Sequence, residues 1–147
     1  MKILLSATSG GHLSEILELF GDVNDVEKII FTEETSRLSS FPYKSYSYKR
    51  PKSQILTMLR ACIKSIVVIL REQPDWVITT GAECGTASII AATFLCKKTI
   101  FVETASRYKT KTVAARICYP LVDKFYVQHK DALALYGKKA EYIGGVL

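Results

Sequence analysis

The chain begins with an apolar strand that turns through small residues directly into a helix, and the same unit recurs later. Ile3 to Leu5 runs into the loop Ser6 to His12, and a second strand at Glu27 to Phe31 completes a βαβ unit. Further along, Trp76 to Ile78 turns through a second loop, Thr79 to Thr86, into another helix. Successive βαβ units form parallel strands joined by right-handed crossovers. The chain is therefore predicted to be an α/β protein with a parallel sheet.

The first loop has the composition of an anion-binding turn. Gly10 and Gly11 can adopt positive φ and let a ligand approach the backbone closely, although their order matches neither a dinucleotide-binding nor a P-loop pattern. The helix that follows offers free backbone N–H groups and partial positive charge at its start. His12 lies there, and an imidazole, with an ordinary pKa of about 6.5, accepts protons near neutral pH. The alternative is plain turn chemistry, with Thr8 or Ser9 capping the helix.

Further polar residues are expected at the same edge of the sheet. Thr80, Gly81 and Glu83 lie in the second loop, before a helix predicted from Ala87 to Leu95. Glu103 and Arg107 follow the next strand. Ligands of open α/β sheets bind in the crevice at the carboxyl ends of the strands. Glu103 and Arg107 have two interpretations. They form an ion pair with each other, or Glu103 binds a substrate hydroxyl or orients the histidine while Arg107 contacts a phosphate.

The longest predicted helix, Ser53 to Glu72, is apolar around most of its circumference but carries a row of cations. At about 100° per residue, three cations fall within a narrow band, here called the basic strip: Arg60, Lys64 and Arg71. Large aliphatic residues, here called the aliphatic flank, lie beside it: Leu56, Ile63 and Val67. One interpretation is an interfacial helix that rests on acidic lipid. The other is a helix packed on two sides within the fold, with its Arg and Lys stems extending outward.

Composition restricts the domain count, the partners and the compartment. The 147 residues fit one domain, 1–147, and the net charge of +6 favours anionic partners. No nucleic-acid-binding motif accompanies this charge, so phosphates and acidic lipid headgroups are preferred over nucleic acid. Four cysteines without a C-x-x-C pair, and two distant histidines, indicate neither a disulfide framework nor a metal site; the cysteines are expected to be buried thiols. Without a signal peptide or a membrane-spanning apolar run, a cytoplasmic protein is expected.

Five motifs occur in an order that resembles one protein family. They are Ser9-Gly10-Gly11-His12, Ile78-Thr79-Thr80-Gly81 with Gly85-Thr86, Phe101-Val102-Glu103-Thr104-Ala105-Ser106-Arg107, Tyr119-Pro120-Leu121-Val122-Asp123-Lys124-Phe125-Tyr126-Val127-Gln128, and Tyr142-Ile143-Gly144. Together they resemble the acceptor-side subunit of split, two-chain glycosyltransferases. That family includes the membrane-recruiting subunit of the eukaryotic UDP-N-acetylglucosamine transferase that makes lipid-linked oligosaccharide, and bacterial subunits of capsular and extracellular polysaccharide synthesis.

The resemblance implies a fold, a partner and a location. The fold is a Rossmann-like parallel sheet with helices on both faces, equivalent to the N-terminal half of a GT-B glycosyltransferase such as MurG. The partner is a separate catalytic chain that binds the UDP-sugar, and neither a metal nor another cofactor is expected. A chain of 147 residues has room for one such half. Because the N-terminal transmembrane anchor of eukaryotic members is missing, peripheral attachment to the cytoplasmic face of the membrane is expected from the helix at Ser53 to Glu72.

The resemblance also implies roles for residues at the sheet edge. His12 would assist deprotonation of the acceptor hydroxyl in an active site formed between the two chains. Contacts to the diphosphate of a lipid-linked saccharide acceptor are expected from Ser9, Gly10, Gly11, Thr80, Gly81, Glu103 and Arg107. Two other functions remain open: a scaffold that only recruits and activates the catalytic subunit, and a stand-alone nucleotide- or phosphosugar-binding enzyme.

Overall fold

The computed structural model describes residues 1–145, in which a seven-stranded sheet, with every neighbouring pair parallel, carries four α-helices. The predicted domain 1–147 therefore ends in two residues, 146 and 147, that lie outside the described part. The strands are β1 Lys2–Ser6, β2 Glu27–Glu33, β3 Lys44–Tyr48, β4 Trp76–Thr79, β5 Lys98–Val102, β6 Lys124–Val127 and β7 Ala140–Tyr142. The α-helices are α1 Gly11–Phe20, α2 Gln54–Glu72, α3 Ala82–Phe94 and α4 Val113–Cys118; short 3₁₀ helices span Ser36–Ser40 and Lys130–Leu135.

Alternate side chains of each strand enter two hydrophobic cores, one on each face of the sheet. On one face, Leu4 of β1 and Phe101 of β5 pack with residues of α2, α3 and α4. On the other face, Leu5 of β1 packs with Leu13 and Ile16 of α1. Both faces are therefore covered by helices, as a parallel sheet requires. The fold predicted from the sequence, a Rossmann-like parallel sheet with helices on both faces, is confirmed.

The order of the strands locates the ligand crevice. Across the sheet the order is β3-β2-β1-β4-β5-β6-β7, so β1 lies between β2 and β4. The chain leaves β1 through α1 on one face, and it reaches β4 through α2 on the other face. In open α/β sheets, ligands bind at such a topological switch point, outside the carboxyl ends of the strands. The two glycine-bearing loops follow β1 and β4 at this point.

The structure corrects two local predictions and adds one element that was not predicted. α3 begins at Ala82, five residues before the predicted start at Ala87, so the second loop shortens to Thr80 and Gly81. The early start is possible because Ala82 accepts a positive φ of 61° and Gly85 lies against β4 without a side chain. The 3₁₀ helix at Ser36–Ser40 was not predicted, since short 3₁₀ segments carry little hydrophobic periodicity. Among the cysteines, Cys96 is exposed, contrary to the expectation of buried thiols.

Candidate functional site

Both loops at the switch point deliver a glycine to the start of a helix. Gly10 precedes α1 with φ of 105°, and Gly81 precedes α3 with φ of 111°, a region that side chains with a Cβ rarely adopt. Neither helix start has a side-chain cap, so the expectation that Thr8 or Ser9 caps α1 is wrong. The Ser9 hydroxyl instead donates to Glu33 at 3.1 Å. Two helix starts with free backbone N–H groups therefore meet at one edge of the sheet.

The two loops are tied to each other directly. The Thr80 hydroxyl donates a hydrogen bond of 3.1 Å to the backbone carbonyl of His12. The second loop is fixed internally, because the Gly81 amide donates to the Thr79 hydroxyl at 2.9 Å. The prediction that the two loops lie together is thus met by a specific contact between the second loop and the first turn of α1, across 68 residues of the chain.

A cavity of about 720 Å³ opens at this edge and is lined by both polar and apolar side chains. Its volume lies within the range of small-molecule sites. The polar lining residues are His12, Gln54, Thr80, Glu83, Thr86, Thr104, Ser106, Arg107 and Thr112. The apolar lining residues are Ile55 and Met58 of α2, Ala82 of α3, and Val113, Ala114 and Ile117 of α4. The cavity therefore offers polar contacts together with an apolar surface that comes mainly from α2 and α4.

His12 lies in the first turn of α1 and lines this cavity. Its side chain is 32% exposed, yet its Nδ1 atom is buried. The nearest charged group is the Glu15 carboxylate, one helical turn further on, with 4.0 Å between His12 Nδ1 and Glu15 Oε2. The exposed part of the ring therefore belongs to its other atoms, and Nε2 is the nitrogen available to a ligand in the cavity.

Glu103 is buried beneath the cavity. Its carboxylate accepts hydrogen bonds from Thr112 at 3.1 and 3.2 Å, from the Thr104 amide at 3.1 Å and from the Tyr136 hydroxyl. Burial raises the pKa of Glu103, and these hydrogen bonds act in the opposite direction. Within residues 1–145 Glu103 makes no ion pair with Arg107, so that interpretation is wrong. Glu103 instead fixes both ends of the loop 104–112, which carries Arg107.

A group of charged residues beside the first loop was missed by the sequence analysis. Arg50 lies between Glu33 and Glu83, with nitrogen–oxygen distances of 3.3 and 3.4 Å, and Gln54 donates to Glu83 at 3.3 Å. Partial burial acts to raise the pKa of Glu83, but its backbone hydrogen bond, Gln54 and the charge of Arg50 lower it overall. Glu83 was expected at this edge as a loop residue, but its ion pair with Arg50 was not predicted, and the early start of α3 places Glu83 in the first turn of that helix, where it lines the cavity.

α2 presents an exposed face made of the basic strip and the aliphatic flank. The three aliphatic residues are 53–56% exposed, which is high for side chains of this type. A shallow groove of about 360 Å³ runs along this face, lined by Leu56, Leu59, Arg60, Ile63, Lys64 and Val67. Leu59, which is 56% exposed, is the member that the sequence analysis did not name. α2 packs against α3 and β3, as the second interpretation expects, but this packing leaves the aliphatic flank uncovered within residues 1–145.

The predicted site residues divide into three groups. His12, Thr80 and Arg107 line the cavity together. Gly10, Gly11 and Gly81 lie at the helix starts beside it, where they contribute backbone rather than side chain. The side chains of Ser9 and Glu103 point into the protein and bind neighbouring groups. The roles assigned to these residues stay predictions. Among residues 1–145, no cluster of three or more His, Cys, Asp or Glu side chains could hold a metal ion.

The strand order and the two glycine-started helices define the Rossmann-like architecture of one half of the GT-B fold. The fold matches the crystal structure of MurG from Acinetobacter baumannii with a TM-score of 0.82, at 13% identity over 98% of this chain and 45% of that one. It also matches the MnaA–UDP co-structure from S. aureus with a TM-score of 0.81, at 18% identity over 98% of this chain and 45% of that one. The chain spans less than half the length of these enzymes, and at such identities the likeness shows the fold alone.

Sequence comparison identifies the family. Residues 46–146 match the family described as "Oligosaccharide biosynthesis protein Alg14 like". The UDP-N-acetylglucosamine transferase subunit alg14 of Schizosaccharomyces pombe is 30% identical over 97% of this chain and 81% of its own length. The human subunit ALG14 is 28% identical over 100% of this chain and 83% of its own length. The chain belongs to the family of Alg14-like oligosaccharide biosynthesis proteins, which confirms the resemblance seen in the sequence motifs.

Proposed function

We propose that this chain is the acceptor-side subunit of a two-chain glycosyltransferase. It binds a lipid-diphosphate-linked saccharide at the sheet edge, and a separate catalytic subunit brings the UDP-sugar to the other side of the active site. The relatives are named as subunits of a UDP-N-acetylglucosamine transferase, which supports a heteromeric enzyme. The finer part of the proposal is that the product enters a capsular or extracellular polysaccharide, and this part rests on the resemblance of the motifs.

The observation that carries the proposal is the lining of the cavity, which combines polar residues with an apolar set mainly from α2 and α4. A lipid diphosphate has the same two parts, since its charged phosphates adjoin an apolar chain. The helix starts at Gly10 and Gly81, together with Arg107, can neutralise a diphosphate. Ile55 and Val113, which are 80% and 73% exposed, provide an apolar path away from it.

Within this site His12 can act as general base. The acceptor hydroxyl gives its proton to His12 Nε2 while its oxygen forms a bond to the anomeric carbon of the sugar. The bond from that carbon to the UDP oxygen breaks, and UDP leaves with the electron pair. A positioned base of this kind contributes a factor of roughly 10²–10⁴ to the rate. Single displacement inverts the anomeric centre and needs no covalent intermediate.

The face of α2 supports docking on an acidic membrane. Its basic strip and aliphatic flank combine electrostatic attraction to anionic lipid with burial of apolar side chains. Ile55 and Met58 at the start of the same helix line the cavity, so a membrane contacting α2 lies next to the acceptor site. No helix among residues 1–145 is long and apolar enough to cross a bilayer. In this proposal the chain is peripheral at the cytoplasmic face.

Reconstitution with a candidate catalytic subunit tests the proposal. Sugar transfer from UDP-sugar to a lipid-diphosphate acceptor is expected only when both chains are present. His12→Asn is expected to lower kcat by about 10²–10⁴ while the KM for the UDP-sugar is unchanged. The control, Glu18→Gln, changes an exposed residue of the same helix and retains full activity.

Two outcomes would contradict the proposal in different ways. Undiminished transfer by His12→Asn would leave the chain as a scaffold that recruits and activates its partner. Transfer by the isolated chain, without any partner, would make it a stand-alone enzyme.

A further inference from the structure

Glu15 connects the histidine of the cavity to the loop that follows β5. It lies on α1 one turn after His12, and its side chain is 11% exposed. Three donors converge on a single oxygen of its carboxylate, Oε1: the Ala105 amide at 2.7 Å, the Gln128 side-chain amide at 2.9 Å and the Thr104 hydroxyl at 3.3 Å. These bonds fix the carboxylate in one orientation, because the three donors come from two other segments of the chain.

The second oxygen of Glu15 faces the histidine. Oε2 lies 4.0 Å from His12 Nδ1, and Nδ1 is buried without a hydrogen-bond partner in residues 1–145. A buried polar nitrogen of this kind is costly unless it is paired. Hydrogen bonds in catalytic sites are often long in the unliganded enzyme and shorten when substrate binds. The 4.0 Å between His12 Nδ1 and Glu15 Oε2 is therefore short enough for a hydrogen bond to form between them when a ligand binds.

No other carboxylate near the cavity is placed to serve His12 Nδ1 in the described part of the chain. Glu103, the residue for which the sequence suggested this role, is held by Thr112 and Tyr136. Glu83 is held by Gln54 and Arg50.

We propose that Glu15 is a positioning residue that keeps the proton of the neutral imidazole on His12 Nδ1. Nε2, which lacks the proton in that tautomer, is then the nitrogen that accepts a proton from a ligand in the cavity. The tautomer of a histidine is set by the hydrogen bond that its other nitrogen makes. This inference rests on the proposed role of His12 as base, and it adds the group that makes the histidine competent before substrate arrives. Glu15 itself touches neither acceptor nor sugar.

The variant Glu15→Gln separates the two tasks of this carboxylate. The amide oxygen of Gln can still accept the hydrogen bonds from Ala105 and Gln128. Its NH₂ group replaces Oε2 and offers Nδ1 a donor instead of an acceptor. A neutral imidazole must then place its proton on Nε2. The matched control is Glu18→Gln, the same chemical change one turn further along α1 on an exposed side chain.

Nitrogen NMR of the imidazoles measures the tautomer directly. The chain contains two histidines, so the spectrum is simple. His129 serves as an internal reference, because its Nε2 lies 2.8 Å from the Ala105 carbonyl and must carry a proton when neutral. Spectra are taken at about pH 8.5, about two units above the ordinary pKa of an imidazole. The unmodified chain and Glu18→Gln are expected to show His12 protonated on Nδ1, and Glu15→Gln is expected to show it protonated on Nε2.

The outcomes separate this inference from the proposed function. A His12 already protonated on Nε2 in the unmodified chain would overturn the inference, as would a tautomer that does not change in Glu15→Gln. The first of these readouts needs no variant, so the test does not depend on the stability of Glu15→Gln. In the reconstituted pair, Glu15→Gln is expected to lower kcat by about 10²-fold or more, towards the level of His12→Asn. A changed tautomer with unchanged transfer would uphold the positioning by Glu15 and reject His12 as base.

Discussion

Gly85 is expected to be indispensable to the second glycine-bearing loop, because α3 contacts β4 through it. A Cβ atom added at Gly85 would lie 1.8 Å from the Thr79 hydroxyl oxygen and 3.0 Å from the Thr79 Cβ. That hydroxyl accepts the hydrogen bond of the Gly81 amide, which shapes the loop. Gly85→Ala must therefore move either α3 or the Thr79 side chain, and each movement disturbs the start of α3.

The cost follows from two effects and one offset. Overpacking a close contact costs about 1–3 kcal/mol, and leaving the buried Gly81 amide unpaired costs about 1–3 kcal/mol. Replacing Gly by Ala inside a helix stabilises the helix by about 1 kcal/mol, which offsets part of this cost. Gly85→Ala should therefore lower the free energy of unfolding by about 1–5 kcal/mol, less than the total of about 5–15 kcal/mol that is usual for a domain. The variant is expected to fold, with a lower midpoint of urea unfolding.

A double-mutant cycle with Thr79→Ala tests the stated cause. Thr79→Ala removes the hydroxyl that the new Cβ would meet, and on its own it costs about 1–3 kcal/mol because the Gly81 amide loses its partner. In the double variant the 1.8 Å collision with the hydroxyl is absent and only the 3.0 Å contact with the Cβ at position 79 remains. The cost of the double variant is therefore expected to fall short of the sum of the two single costs by at least about 1 kcal/mol. Additive costs would contradict this cause, since they would mean that Gly85 and Thr79 do not constrain each other.

Three further predictions concern stability and membrane binding. The Lys44 ammonium and the Tyr46 hydroxyl hold the pKa of Glu72 at about 2, so the stability that Glu72 contributes is present above the ordinary carboxyl pKa and is lost as the pH falls towards 2. Acid unfolding of Glu72→Gln should therefore depend less steeply on pH than that of the unmodified chain, and an unchanged profile would contradict this. Ala82→Gly should raise the free energy of unfolding by up to about 1 kcal/mol, because Ala82 has a φ of 61°, and a lower melting temperature would reject that cause. Replacing all three cations of the basic strip with Glu should abolish co-sedimentation with anionic liposomes, and retained binding would exclude docking through α2. The matched control replaces three exposed lysines elsewhere with Glu and should still bind through α2: Lys98, Lys124 and Lys138.

Much of the fold could be predicted from the sequence because its signals are local. The apolar run before Ser6 and the glycines after it specify a strand, a turn and a helix through short-range preferences. Parallel pairing and the switch point follow from the repetition of this unit. The start of α3 at Ala82 could not be predicted, since it depends on the approach of Gly85 to Thr79, a contact of the folded state.

The side-chain partners within the site could be predicted only in part. The sequence placed Glu103 correctly at the edge of the sheet. Its partners Thr112 and Tyr136 are 9 and 33 residues further along the chain, so these contacts depend on the folded state. Glu15 was missed although its position three residues after His12 on a helix already placed both on one face. The spacing of three residues on a predicted helix was the available signal, and it indicated Glu15 as a neighbour of His12.

Binding by the isolated chain tests most directly whether it supplies the acceptor side of a split transferase. A lipid-diphosphate-linked saccharide and a UDP-sugar are each titrated against the chain alone, with Arg107→Glu as the variant of the cavity wall. If the chain supplies the acceptor side, the isolated chain binds the lipid-linked acceptor, Arg107→Glu weakens this binding at least tenfold, and UDP-sugar binds only after the catalytic subunit is added. Binding of UDP-sugar by the isolated chain, with no affinity for the lipid-linked acceptor, would contradict this assignment.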